Sequence, residues 1–264
     1  NMDLDKAQEE KQSYTIEFLM GSTDDNGALF FCNGVLEKLQ EYLDDGTLVC
    51  KSGNMTFDST GILRWDQDAA QAKMKSILDE FYQEEKTPNI IITASDEFAI
   101  GVQELLEERG ILSDSEEWPV ITGYGSEMQA VKDVAEGKIT LTTYLDRKEL
   151  AQGGAKMALD YLAGEKVDVK DYSQYDNGTK IVGTFTCGAQ LIDKDNYQIL
   201  VDNGTYDEEE IKPDPTPTAT PEPTATPEPT LTPEVTSDPE ATITPKATVT
   251  PTASGTPAAA DKTI

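Results

Sequence analysis

Histidine is absent from this chain, and cysteine occurs only three times. Without histidine, His-based catalytic triads and the usual zinc sites are excluded. Cys32, Cys50 and Cys187 are odd in number and irregular in spacing, and no CxxC pair occurs, so no disulfide framework is legible. No run of about 18 apolar residues exists, so no membrane helix is expected. Positive charge is also scarce. Lys and Arg total 21 against 50 Asp and Glu, a formal net charge of -29. Such a surface repels nucleic-acid phosphates and anionic lipid. No GxGxxG opens a helix and no GxSxG elbow is present, which argues against a dinucleotide site and a serine hydrolase. We expect no cofactor, no metal and no enzymatic constellation.

What is present divides into two materials. Residues 1–212 mix apolar and charged residues in globular proportions. From Pro213 the composition collapses to Pro, Thr, Ala and Glu, with 12 of the 14 prolines and no aromatic residue. Ala-Thr-Pro-Glu-Pro-Thr occurs twice in succession from Ala219. Such a segment cannot bury enough apolar surface to offset its ordering entropy, so 213–264 is expected to be a disordered Thr/Pro-rich linker. Residues 1–13 read as a frayed, polar lead-in. The chain begins at Asn1 with no leader pattern, and its natural start is expected upstream.

Between these flanks, 14–212 alternates strand and helix patterns. Strands are expected at 14–20, 47–51, 89–94, 119–123, 139–144 and 180–186. Helices are expected at 28–43, 68–85, 96–109, 127–136 and 146–162. The run 89–94 is continuously apolar, as in a parallel strand buried on both faces. The pattern predicts an α/β fold with a doubly wound, mostly parallel sheet. In such sheets ligands bind outside the carboxyl ends of the strands. That rule singles out Asp25 and Asn26 after the first strand, Ser95 and Asp96 after the third, and Tyr124 after the fourth. Asp24, Asp25 or Asn26 could equally cap the following helix, and Asp96 is a good N-cap with Ser95 facing outward. Trp65, between a Gly-containing loop and a helix, either stacks on a ligand ring or packs on the core. Trp118, before Pro119, sits at the opposite end of its strand and reads as structural.

Several motifs recur in a fixed order. They are Gly-Ser-Thr-Asp-Asp-Asn at 21–26, Leu-Arg-Trp-Asp at 63–66, Ala-Gln-Ala-Lys-Met at 70–74 and Ala-Ser-Asp at 94–96. Thr-Gly-Tyr at 122–124, Lys-Glu-Leu-Ala at 148–151 and Asn-Tyr-Gln-Ile-Leu-Val-Asp-Asn-Gly at 196–204 follow. Over residues 14–206 this order resembles the type I periplasmic binding proteins, in their multiple-sugar and xylose/glucose-galactose-binding branch. The resemblance implies a second lobe without its first, a sugar or related polar solute as ligand, and an ABC permease as partner. It also implies an extracellular or cell-envelope setting, as a lipoprotein receptor. Sugar contacts would fall on Asp25, Gly27, Trp65, Ser95, Gly125 and Leu145. Gly27, Gly125 and Leu145 lack the polar groups usual there. A cell-surface binding module on a Thr/Pro stalk, no longer serving transport, is the alternative expectation. The resemblance further implies that the chain beyond Asp146 returns to the first lobe, leaving 146–162 and 180–186 without their partner.

Overall fold

The computed structural model describes residues 2–213, apart from 170, 174, 176 and 177. The elements in chain order are α1 (Leu4–Glu10), β1 (Tyr14–Leu19), α2 (Asn26–Asp44), β2 (Leu48–Val49), α3 (Phe57–Thr60) and α4 (Gln67–Phe81). Then come β3 (Ile90–Thr93), α5 (Asp96–Glu108), β4 (Val120–Thr122), α6 (Met128–Ala135) and β5 (Leu141–Leu145). The last are α7 (Arg147–Leu162), β6 (Ala189–Asp193), α8 (Ile199–Asp202) and α9 (Glu208–Ile211). One sheet of six strands runs in the order β2-β1-β3-β4-β5-β6. Its first four pairings are parallel, and β6 runs antiparallel to β5.

Side chains alternate across each strand, and the alternation makes the two layers. Ile16, Phe18 and Met20 pack with Ile90, Ala94 and Cys32 into one buried cluster, together with the apolar stripe of α2. Leu19, Ile91 and Ile121 face the other way and pack on Met74 and Leu78 of α4, Phe98 and Leu106 of α5, and Val134 of α6. Glu17 shares that second face and is fully buried. It accepts hydrogen bonds from Tyr82 Oη (2.8 Å), Ser52 N (3.0 Å) and Ser52 Oγ (2.5 Å), so a buried carboxylate ties β1 to the loop after β2 and to the end of α4. A third cluster, Val131, Ile192, Leu200 and Ile211, fastens α8 and α9 onto α6.

Three expectations need correction. Residues 1–13 are not frayed throughout. Asp3 caps α1 through Lys6 N (3.1 Å), Ala7 is buried, and Gln8 donates to Asp45 (2.6 Å). Among the described residues, 180–186 form no continuous strand; a bridge joins Asp171 and Thr184, and Val182 N donates to Tyr175 O (2.7 Å). The sixth strand is β6, which satisfies the free edge of β5. The loop before Trp65 contains α3, closed by a reciprocal Thr56–Ser59 capping box. The expected linker 213–264 lies, apart from Pro213, outside the described residues.

α7 differs from every other long helix. Asp146 caps it through Lys148 N (2.9 Å) and Glu149 N (3.0 Å), yet none of its 16 residues is buried. Leu150, Leu159, Tyr161 and Leu162 are exposed. Most helical stability in proteins comes from packing an apolar face, which α7 lacks.

Asp133 on α6 is the weak point of the packed helices. It is only 2% exposed, and its Oδ2 has no hydrogen-bond partner. Burial pushes its carboxyl up to about 6 from 3.8, against the Gln129 hydrogen bond and the Lys138 charge, with Glu136 and Glu107 raising it further. The native state therefore favours the protonated form. Its advantage is complete below the unfolded value and is lost as pH rises through about 6. Asp133→Asn should stabilise the protein by on the order of 2 kcal/mol at pH 7.5. The gain should vanish in urea melts below about pH 4. An equal gain at both pH values would contradict the assignment.

Candidate ligand-binding edge

The carboxyl ends of β1, β3, β4 and β5 lie along one edge of the sheet. The expected site residues follow β1 (Asp25 and Asn26), β3 (Ser95 and Asp96) and β4 (Tyr124), and Trp65 comes from the segment after β2 and α3. The tightest grouping is at β1. Asp25 is the N-cap of α2, with Oδ1 accepting from Gly27 N (2.7 Å). Its Oδ2 accepts from Trp65 Nε1 at 3.2 Å. Asp25 thus does both things expected of the loop: it caps the helix and also faces outward, exposed, beside an aromatic ring. Asn26 is the first residue of α2 and is exposed.

Trp65 is not a free rim residue. It is half-buried, stacks on Phe98 (centroids 6.0 Å apart, planes at 29°) and touches both main core clusters. Arg64 and Trp65 both adopt positive φ, 62° and 55°. Two such residues in succession are strained, and strain of this kind persists only where the surroundings over-determine it. Here Arg64 N donates to the buried Ser22 Oγ (2.7 Å), and Lys73 Nζ donates to Ser59 O (2.5 Å) in the preceding turn. Gly21 completes the seat. A Cβ built there would lie 2.1 Å from the indole, so only glycine lets the ring close over the end of β1.

The loops after β3 and β4 reverse one expectation. Ser95 is the N-cap of α5, accepting from Phe98 N (3.2 Å), and is half-exposed. Asp96 is 1% exposed and internal. Its Oδ1 accepts from Thr142 Oγ1 (2.6 Å) and its Oδ2 from Glu127 N (2.7 Å). Burial raises its carboxyl above the usual range, opposed first by the Thr142 hydrogen bond. Asp96 therefore braces the edge and does not face a ligand, while Ser95 takes the cap. A Cβ at Gly123 would sit 2.2 Å from Asp96 Oδ1, which accounts for that glycine. Tyr124 is half-buried, edge-on to Phe31 (5.5 Å, 70°), and its backbone oxygen accepts from Asp96 N (3.0 Å). Trp118 lies at the other end of β4 and donates to Lys138 O (2.9 Å), a structural role as expected.

Sequence reasoning missed Phe31, Phe98 and Ser22. Phe98 lies three positions after Ser95, on the buried face of α5. That spacing was the available sign that it could reach a ring at the sheet's edge. The edge as built offers a carboxylate oxygen beside an indole, with the half-exposed Ser95 and the half-buried rings of Tyr124 and Phe31 along it. An aromatic face next to hydrogen-bond acceptors suits a ring-shaped polyol.

Residues 4–166 match the model of the periplasmic binding protein domain, and the chain belongs to that family. Among its relatives, the multiple sugar-binding periplasmic receptor ChvE of Rhizobium radiobacter is 34% identical over 203 residues. That match covers 76% of this chain and 57% of ChvE. The multiple sugar-binding periplasmic protein SbpA of Azospirillum brasilense is 36% identical over 203 residues, covering 76% and 56%. An ABC transporter solute binding protein from Clostridium phytofermentans, solved with bound beta-D-glucose, superposes with a TM-score of 0.71 at 30% identity. The superposition covers 79% of this chain and 64% of that one. The chain thus spans a little over half the length of the curated relatives it matches.

The seating of Trp65 generates a test. Gly21→Ala should force the indole out of its place and red-shift the tryptophan emission. Trp65→Ala should lower stability by about 2 kcal/mol through loss of the Phe98 stack, not leave it untouched. Urea melts with unchanged midpoints for both variants would contradict the packing described.

Proposed function

We propose that this chain supplies one wall of a sugar-binding cleft, in the substrate-binding component of an ABC transporter of the cell envelope. The observation that carries the reading is the Asp25–Trp65 pair at the carboxyl edge of the sheet. In this reading Asp25 accepts protons from sugar hydroxyls and Trp65 stacks on the ring, with Asn26, Ser95 and Tyr124 along the same edge. The protein binds and releases its solute without chemical change, and an ABC permease receives it.

The bare surface of α7 supports a further part of the reading. A 16-residue helix with no buried residue has the form of an element made for a partner. We read that partner as the other lobe, in keeping with the share of each relative that this chain spans. Hinge closure of two lobes would then clamp the solute. The apolar or missing side chains at Gly27, Gly125 and Leu145 favour a second reading, a surface binding module that has left sugar transport.

A one-walled site cannot bury most of a ligand. Calorimetric titration of this chain with glucose, galactose or xylose should therefore give dissociation constants above about 1 mM. Micromolar affinity would refute the one-wall reading. A chain extended by the first lobe should gain at least about 100-fold in affinity, and Trp65→Ala should remove the gain.

A further inference from the structure

The two faces of the sheet are covered unequally. On the face that packs against α4, α5 and α6, the side chains of β3 to β6 are closed off. Ile91, Ile121, Thr142 and Ile192 are each 0% exposed. On the opposite face Ile92, Val120, Leu141 and Thr143 are half-buried, and Leu191 is 61% exposed. Thr122 pairs with Ile92 on one side and Leu141 on the other, and Thr143 pairs with Leu191. Side chains alternate along a strand, so the contrast lies between the faces and not between the strands.

Among the described residues, α2 is the one long helix in the apolar cluster of this second face. It buries only Ala28 and Cys32 of its 19 residues, where α5 buries eight of 13. A mostly parallel sheet is stable when helices cover both of its faces. Three helices on one face and one on the other leave an apolar trough beside α2, floored by β3, β4 and β5.

The trough has a direction and a length. Phe31, Val35 and Tyr42 recur at helical spacing along one flank of α2. Near the carboxyl edge Phe31 meets the ring of Tyr124 after β4 (5.5 Å), so this flank looks over β3 and β4. At its other end Tyr42 donates to Asp5 of α1. About one turn further along both helices, Gln8 donates to Asp45 (2.6 Å). α1 therefore runs parallel to α2 and occupies the trough toward the amino edge, with Leu4 in the same apolar cluster. Asp3 caps it, so α1 goes no further toward the carboxyl edge. From Tyr42 to Phe31 the flank extends roughly 16 Å, about three helical turns. Phe31 and Val35 stay half-buried along it.

We propose that this trough seats an amphipathic helix of about three turns, part of this same lobe and supplied by the polypeptide upstream of Asn1. Three observations select that occupant. α1 already docks on this face, and its N-terminal end points along the open stretch. The match covers 57% of ChvE, so the relatives have further polypeptide to supply it. A lobe that clamps a solute must stand over the carboxyl edge, so the other lobe does not lie along the middle of a sheet face. The seated helix turns an apolar stripe onto Ile92, Val120 and Leu141 and a polar stripe to solvent. The inference rests on the reading of this chain as part of a longer receptor, and it is independent of the sugar contacts at Trp65. What the chain lacks then includes a piece of this lobe as well as the other one.

The test compares this chain with one extended by about thirty of its natural preceding residues, too few to form a second lobe. Thr122→Cys puts a thiol on the floor of the trough, and Leu112→Cys puts one in the exposed loop after α5. Maleimide labelling is followed peptide by peptide, which separates these thiols from Cys50 and Cys187. The extension should slow labelling of Thr122→Cys at least about tenfold and leave Leu112→Cys unchanged. Val35→Asp gives a second readout. It should shift the melting temperature by no more than about 2 °C in this chain and lower it by at least about 6 °C in the extended one, where the carboxylate is buried. Equal labelling of Thr122→Cys in the two chains overturns the proposal. Protection that appears only with the whole upstream polypeptide also overturns it and assigns the face to the other lobe. A dimer of this chain in which Thr122→Cys is already protected overturns it in favour of a second copy.

Discussion

The carboxylate of Asp96 holds the binding edge together. It is buried at the start of α5 and reaches the backbone of α6 and the hydroxyl of β5 at once. A buried charge is tolerable only when it is hydrogen-bonded, so the groups around it are constrained. Gly123 must lack a side chain to let it pass, and Thr142 must present a hydroxyl in the middle of a strand. Thr142 Oγ1 in turn accepts from Ser126 N, which fixes the turn after β4. The loops after β3 and β4 are thereby held against β5 in one arrangement. A binding edge built from several loops needs such a brace, because each loop alone would explore many conformations.

Much of this was legible in the sequence. The continuous apolar run 89–94 gave a buried parallel strand, and the alternation of patterns gave the sheet's parallel part. Placement of Asp25 and Trp65 at one edge followed from the strand-end rule, and their side chains do meet. What was not legible came from tertiary partners. Ser95 took the cap expected of Asp96, and Asp96 turned inward, since either can cap a helix and only the position of Thr142 and Glu127 N decides which is buried. Trp65 could be read either as a ligand-stacking or as a core residue because its seat is made by Phe98 and Gly21, 33 and 44 positions away in the chain. Residues 180–186 have strand composition, but among the described residues they meet 171–175 only through scattered bridge contacts and not a continuous ladder, which composition cannot foresee. β6 was missed because its pairing with β5 exposes most of its side chains.

Of the three buried carboxylates among the described residues, Glu17 and Asp133 are treated most differently. Glu17 has donors for both oxygens and joins three elements. Asp133 has a donor for one oxygen only. In a chain so rich in acids, burial of a carboxylate is a matter of local donors and not of overall charge. The surface acids contribute solubility, and the few that enter the interior act as ties or as weak points according to how many hydrogen bonds reach them.

α7 stands on its cap, its own backbone bonds and the Phe185 ring against Gly153, with no fully buried residue to hold it. Its opening therefore need not wait for the sheet to open. Amide protons along 147–162 should exchange with solvent through local fraying, while those of β1 and β3 exchange only when the whole domain unfolds. Within one chain there are thus two levels of protection. The lower one belongs to the segment whose exposed leucines and tyrosines have the most to gain from being covered.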